Sequence, residues 1–249
     1  MNYANKQATR VALITGAGRR IGAAIAETLH QAGFSVAIHC HQSRHEANEL
    51  CDTFNKKRAN SACVFVADLA QNSDIQTLIM HVIDWAGQMD LLVNNASIFM
   101  PTPLDAPDDE RWSTLFSINV QAPFWLSLAA RPYLAAQQGA IINITDIHAE
   151  RPLKGYAEYC QTKATLLMQT KALACEFAPD IRVNAVAPGA IIWPEQENAL
   201  DLINQEKIIA KTPLKRHGEP IFIAQAVLAL AENRFITGQT LRVDGGRLI

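Results

Sequence analysis

Charge of either sign is scarce along this chain: 22 Lys and Arg stand against 24 Asp and Glu in 249 residues, a net charge of -2. So neutral a chain has no sequence-independent pull toward nucleic acid or anionic lipid, and neither is an expected partner. Cysteines are few and odd in number: Cys40, Cys51, Cys63, Cys160 and Cys175, with no CxxC pair. That excludes a disulfide framework and reads as reduced thiols in the cytoplasm. No apolar run reaches the roughly 18 residues of a membrane span. The opening Met1–Arg10 is polar and lacks the apolar stretch of a signal peptide, so a cytoplasmic location is expected. Repeats, low-complexity tracts and linkers are missing too. What is present is 49% apolar residues, and a chain of this length can bury roughly 70–75% of its unfolded surface. One domain over 1–249 is the expectation, with 1–8 as a flexible N-terminus.

Short β-rich runs alternate with helical ones. Strands are expected at Arg10–Thr15, Ser35–Cys40, Ala62–Val66, Asp90–Asn94, Ala140–Ile144, Arg182–Ala187 and Thr240–Val243. Helices are expected at Arg19–Ala32, Ser43–Ala59, Asp74–Ala86, Ala157–Phe177 and Pro220–Ala231. A long one over Asp109–Ala136 would be bent at Pro123 or Pro132. Near-continuous apolar strands separated by helices imply a parallel sheet covered on both faces. The polar segment Gly189–Leu214, with one helical stretch, is too long for an ordinary connection and reads as a lid or binding loop.

The run Thr15-Gly16-Ala17-Gly18-Arg19-Arg20-Ile21-Gly22 follows the first strand and opens the first helix. Glycines there let the backbone approach a pyrophosphate, and the free N–H groups of the helix start bind that anion. Gly16, Gly18, Arg19, Arg20 and Ile21 are therefore candidate dinucleotide contacts. The end of the second strand reads His39-Cys40-His41-Gln42-Ser43-Arg44, without the Asp or Glu that holds the ribose of NAD. Two imidazoles, a hydroxyl and guanidinium groups suit the extra phosphate of NADPH, which places His41, Gln42 and Ser43 at the cofactor. Asp68 and Leu69, after the third strand, are candidate adenine contacts. His39 and His41 form an HxH pair with no third ligand in view, so no metal is expected.

Tyr159 and Lys163 are four apart at a helix start and share a face. A lysine ammonium beside a phenol is expected to lower its pKa and make it a usable proton donor. Asn94-Asn95-Ala96 after the fourth strand, Asn119 and Pro188-Gly189 after the sixth strengthen the pattern.

These motifs, with VNAVAPG and a terminal VDGG, resemble the short-chain dehydrogenase/reductase family over roughly residues 9–246. The resemblance implies a Rossmann-type, doubly wound α/β sheet of about seven parallel strands. It makes Tyr159 the general acid, Lys163 a holder of both phenol and nicotinamide ribose, and Asn119 support for a proton relay. It places Asn95, Ala96, Pro188 and Gly189 at the cofactor. Three departures narrow it. Arg20 stands where most of the family has a glycine. Asp146, thirteen residues before Tyr159, stands where the family's carbonyl-polarising Ser usually sits. The loop Asn94-Asn95-Ala96-Ser97-Ile98-Phe99-Met100-Pro101-Thr102-Pro103-Leu104 is the third. With the HxHxS strand end and Glu46-Ala47-Asn48, these look like the pteridine reductases, though Gln42 replaces a basic residue common there.

That subgroup implies an NADPH-dependent reduction of a dihydropterin, with biopterin or dihydrofolate as further substrates. A flat pterin would stack on Phe99, with Ser97 and Arg20 along its polar edge and Asp146 and Tyr159 at the proton. Two alternatives remain open: a 3-oxoacyl thioester or other carbonyl reductase of the same family, and a non-catalytic NADP-binding sensor. Helices Asp109–Ala136 and Ala157–Phe177 are apolar on more than one face, and the family commonly assembles as tetramers through them, so a homotetramer is expected.

Overall fold

The computed structural model describes residues 9–193 and 201–249. The expected flexible N-terminus, 1–8, and part of the long polar segment, 194–200, lie outside the described residues. Strands β1 (Val11–Ile14), β2 (Ser35–Cys40), β3 (Ala62–Val66), β4 (Leu91–Asn94), β5 (Ala140–Ile144), β6 (Arg182–Pro188) and β7 (Thr240–Val243) form one sheet. Its order is β3-β2-β1-β4-β5-β6-β7, and every pairing is parallel. This is the expected doubly wound fold.

Alternation along each strand splits the core into two layers. Ala12, Ile14, Val36 and Ile38 pack with Ile25 and Leu29 of α1 (Arg20–Gln31) and Ile223 and Val227 of α8 (Pro220–Glu232). Leu13, Ala37, Leu92, Ile141 and Val183 face the other way. They meet Ile75 and Ile79 of α3 (Asn72–Ala86), Leu126 of α5 (Ala122–Ala136) and Leu173 of α6 (Ala157–Phe177). Each Val, Leu or Ile among them, fully buried, contributes about 1.5–3 kcal/mol. Between β1 and β4 the winding reverses, and the crevice beyond the carboxyl ends of these strands is where such sheets take their ligands.

One expectation is refined. The helix foreseen over Asp109–Ala136 is present, but its winding changes along the way: α4 (Asp109–Phe116) passes into a π-helical turn, Ser117–Gln121, before α5 begins. Pro123 has no N–H to return to the carbonyl of Asn119, so the α pattern cannot continue through this point. The wider turn carries Asn119 inward.

α2 (Arg44–Lys57) and α7 (Leu202–Ala210) complete the described helices that concern the site. Among the described residues no helix is long and apolar enough to cross a membrane. No group of three or more His, Cys, Asp or Glu among them is placed to hold a metal ion.

Candidate active site

A cleft of about 1270 Å³ runs across the carboxyl ends of the strands. It gathers side chains from almost every loop on that edge. At one end is the glycine turn. Gly16 has φ +61°, and a Cβ on Gly22 would lie 2.2 Å from the Gly16 carbonyl oxygen, so only glycine fits there. The turn leaves the first N–H groups of α1 facing the cleft, beside the exposed Arg19. Asn95 ties it to β4: its Nδ2 donates to the carbonyls of Thr15 (2.8 Å) and Gly16 (3.1 Å). The Thr15 hydroxyl accepts from the backbone N–H groups of Asn95 and Ala96, each at 2.9 Å.

His41, Gln42 and Ser43 line the adjacent wall, with Asp68 and Leu69 beyond them. Ser43 packs against Gly18, which is buried beneath it and does not itself reach the cleft surface. Glu46, in the first turn of α2, also faces the cleft. Its carboxylate, two residues beyond Arg44, was not weighed as a cofactor neighbour in the sequence.

His39 has a different role from the one expected. It is 2% exposed. Its Nδ1 accepts from the Gly16 N–H at 3.1 Å, so its Nε2 carries the proton that is shared with the Ala67 carbonyl at 3.2 Å. Burial holds its pKa down at about 4. A neutral imidazole engaged at both nitrogens supplies no charge to a phosphate; it braces the glycine turn. The alternation of β2, with Ala37 and His39 on one face, is the signal that could have shown this. Unfolding returns the imidazole to about 6.5. Between pH 6.5 and 4 the unfolded chain therefore takes up a proton that the folded chain refuses, and stability falls as the pH drops across that window. The full loss is about 3 kcal/mol. Denaturant titrations at pH 7 and pH 4 should show this loss for the wild type. In His39→Asn the same interval should cost measurably less; an equal pH dependence in the two proteins rules the assignment out.

Arg20 lies at φ +55°, the left-handed region that disfavours a side chain and that explains the glycine usual at this position in the resembled family. Its Nη2 donates to the carbonyl of Trp193 at 3.1 Å, so the phosphate turn is tethered to the loop after β6. Neither the strain nor Trp193 was visible in the sequence.

Asp146, Tyr159 and Lys163 line the same cleft. Tyr159 and Lys163 project from the first turns of α6 and are 5% and 3% exposed. The Tyr159 hydroxyl donates to Asp146 Oδ2 at 2.7 Å, while Asp146 Oδ1 accepts from the backbone N–H of His148 at 2.8 Å. Asp146 thereby caps a 3-10 turn, Ile147–Ala149, and is locked with both oxygens accepting. Lys163 Nζ donates to the Ile144 carbonyl at 3.0 Å and lies 5.7 Å from the centre of the Tyr159 ring. Burial pushes the lysine down to about 8.

For the phenol, the expected direction is reversed. Burial, reinforced by the negative charge of Asp146, holds Tyr159 well above its ordinary pKa. The lysine was expected to lower it, but burial and the carboxylate at hydrogen-bond distance both favour the neutral form. Tyr159 therefore rests as a neutral phenol with its proton directed at Asp146.

Asn119 does not line the cleft. Its Oδ1 accepts from the Ile98 N–H (2.9 Å) and the Ser97 hydroxyl (3.1 Å), and its Nδ2 donates to the Ile98 carbonyl (2.9 Å) and Thr162 Oγ1 (3.1 Å). It is a positioning residue that clamps the β4 loop to α6. Ser97, expected at the substrate edge, faces the cleft with its hydroxyl committed to this clamp. Phe99 stacks on Tyr156 (centroids 4.3 Å apart, planes 9° apart) and meets Tyr159 edge-on at 4.7 Å. Tyr156, three residues before Tyr159, was missed; that spacing was the available signal. Pro188 and Gly189 close the cleft from the end of β6.

A dinucleotide cradle continuous with a buried phenol and ammonium and a partly buried carboxylate defines an oxidoreductase that handles a hydride and a proton. The chain belongs to the short-chain dehydrogenase/reductase family, whose fold binds NADPH: a family model described as enoyl-(acyl carrier protein) reductase matches residues 16–247. The 3-oxoacyl-[acyl-carrier-protein] reductase FabG of Staphylococcus epidermidis is 36% identical over 239 residues, covering 94% of this chain and 97% of the relative. Pteridine reductase 1 of Leishmania tarentolae is 33% identical over 282 residues, covering 95% of each. The crystal structure of a blue fluorescent protein from a metagenomic library, in complex with NADPH, superposes with a TM-score of 0.90. It is 33% identical to this chain and covers 96% of it and 98% of its own chain.

Proposed function

We propose that this protein is an NADPH-dependent reductase of a dihydropterin ring. The observation that carries the reading is Asp146. It stands 2.7 Å from the Tyr159 hydroxyl with its other oxygen tied to His148, so it presents acceptors only. A ketone oxygen needs a donor at this position, and a carboxylate accepting through both oxygens offers none. A pterin needs the reverse: it has ring N–H groups to be held, and a C=N bond whose nitrogen must gain a proton. The Phe99–Tyr156 stack supplies an aromatic wall beside Tyr159 for a flat heterocycle, an arrangement worth roughly 0.5–1.5 kcal/mol beyond burial.

NADPH supplies the hydride when bound, and the residues present fit it. The α1 N-terminus and glycine turn take the pyrophosphate. Arg19, His41, Gln42 and Ser43, which line one wall of the cleft, would hold the ribose phosphate, and Lys163 would hold the nicotinamide ribose. The proton side belongs to this chain. Tyr159 gives its proton to the ring nitrogen, Asp146 holds a ring N–H or relays a replacement proton taken from solvent back to the phenol oxygen, and Lys163 offsets the charge left there meanwhile. Product gains one C–H and one N–H bond, so hydride and proton balance.

A second reading, a 3-oxoacyl thioester reductase, is favoured by similarity alone, since the staphylococcal relatives at 34–36% identity carry that name. NADPH oxidation assayed with a dihydropterin and with an acetoacetyl thioester separates the two; turnover of the thioester alone decides for the second. For the cofactor, kcat/KM with NADPH should exceed that with NADH by at least about tenfold, which takes only ~1.4 kcal/mol of differential binding. Equal values would remove Arg19 and Ser43 from the phosphate. The proposal extends to assembly. Phe124, Trp125 and Met168 on α5 and α6 are 36%, 40% and 63% exposed, and a second copy of the chain is the partner proposed for that face, within a homotetramer.

A further inference from the structure

The C-terminal turn is built to carry a cation into the substrate end of the cleft. A Cβ on Gly189 would lie 2.7 Å from Asp244, so glycine there lets the turn rest on the end of β6. Asp244 organises the turn, its Oδ1 accepting from the Gly246 N–H (2.8 Å) and its Oδ2 from the Leu248 N–H (2.9 Å). Arg151 Nη1 clamps the Arg247 carbonyl at 3.2 Å.

Arg247 then lines the same cleft as Asp146 and Tyr159, half-buried. Its guanidinium donates no hydrogen bond among the described residues. Burial and the neighbouring Arg151 both hold its pKa below the usual value, while Asp146 and Asp244 offset this in part. Lys154 and His148 line the same cleft. The nearby carboxylate of Glu150 is already taken, since Arg242 pairs with both of its oxygens. A half-buried guanidinium with free N–H groups and a cationic neighbour is short of one anionic acceptor.

We propose that Arg247 is a specificity residue that takes an anionic group carried by the substrate away from its reacting ring. The inference rests on the reductase reading of this cleft. Carboxylate and phosphate share the required chemistry, so the test uses both. The quantity read is the ratio of kcat/KM for a dihydropterin with a carboxylate tail (dihydrofolate), or with a phosphorylated side chain, to that for one with an uncharged tail. In the wild type one or both ratios should exceed unity. Arg247→Gln should lower the elevated ratio at least about tenfold, through KM, as expected for losing a charge-assisted pair. Arg247→Lys should keep much of it. A ratio near unity in the wild type, or one unchanged in Arg247→Gln, overturns the inference. If no dihydropterin is turned over, the pterin reading fails by itself. The same ratio, taken with acetoacetyl coenzyme A against acetoacetyl N-acetylcysteamine, then decides the role of Arg247.

Discussion

Asp146→Ser should lower kcat/KM for a dihydropterin by roughly 10²–10⁴-fold, the range of an acid–base group. The reason is geometric. Asp146 is fixed at one oxygen by the 3-10 turn it caps and at the other by Tyr159. A serine hydroxyl is shorter, offers one oxygen, and reaches either Tyr159 or a ring N–H. It also removes the negative charge that helps hold the Tyr159 proton in place. The same substitution supplies the donor that a ketone needs, so turnover of a 3-oxoacyl thioester should rise as pterin turnover falls. NADPH affinity, read by fluorescence titration, should persist, because the glycine turn is more distant. The crossing of the two substrate curves is the result to look for. A wild type that prefers the thioester, with full pterin turnover retained in Asp146→Ser, overturns the pterin reading and installs the carbonyl-reductase one.

Tyr159→Phe should abolish most turnover, with a fall in kcat of about 10²–10⁴-fold and retained NADPH binding. Phenylalanine fills the same buried space and keeps the edge contact with Phe99, so the loss isolates the transferred proton. Lys163→Ala should damage both turnover and cofactor affinity, since the ammonium is assigned to the phenol and to the ribose. The pH profile follows from the burial of Lys163. With its pKa lowered to about 8, the free enzyme loses this ammonium as the pH rises through 8, and kcat/KM should decline there. An ordinary exposed lysine would hold its proton to near 10.4. Near-normal kcat in Tyr159→Phe, or a flat profile to pH 10, would remove these residues from the proton path.

Most of the fold was legible in the chain because its signals are local. The β-rich runs and the glycine turn state their structure within ten residues, and β3, β5, α6 and β7 begin and end where the apolar pattern does. Tyr159, Lys163 and Asp146 were legible for the same reason, as residue types at fixed spacings next to recognisable strand ends. The change of winding between α4 and α5 was only half legible. Pro123 announced a disturbance, but the π-helical turn also serves a side chain, Asn119, whose partners Ile98 and Thr162 are 21 and 43 residues away.

What the sequence could not contain is the sign of effects that sum over neighbours distant in the chain. His39 looked like a phosphate ligand until the fold buried it between Gly16 and Ala67. The tilt of the Tyr159 proton was decided by tertiary placement, because burial and then a carboxylate at 2.7 Å both favour the neutral phenol. Arg247 lies more than eighty residues from Tyr159 in sequence, and only the packing of the C-terminal turn on Gly189 brings it to the cleft. Sequence alone determined the sheet, the dinucleotide turn and the spacing that brings Tyr159, Lys163 and Asp146 together, since hydrophobic period and glycine placement act over short distances. Tertiary structure decided which of those side chains are charged, which are braces and what faces the substrate, since burial and Coulomb interactions depend on distance in space.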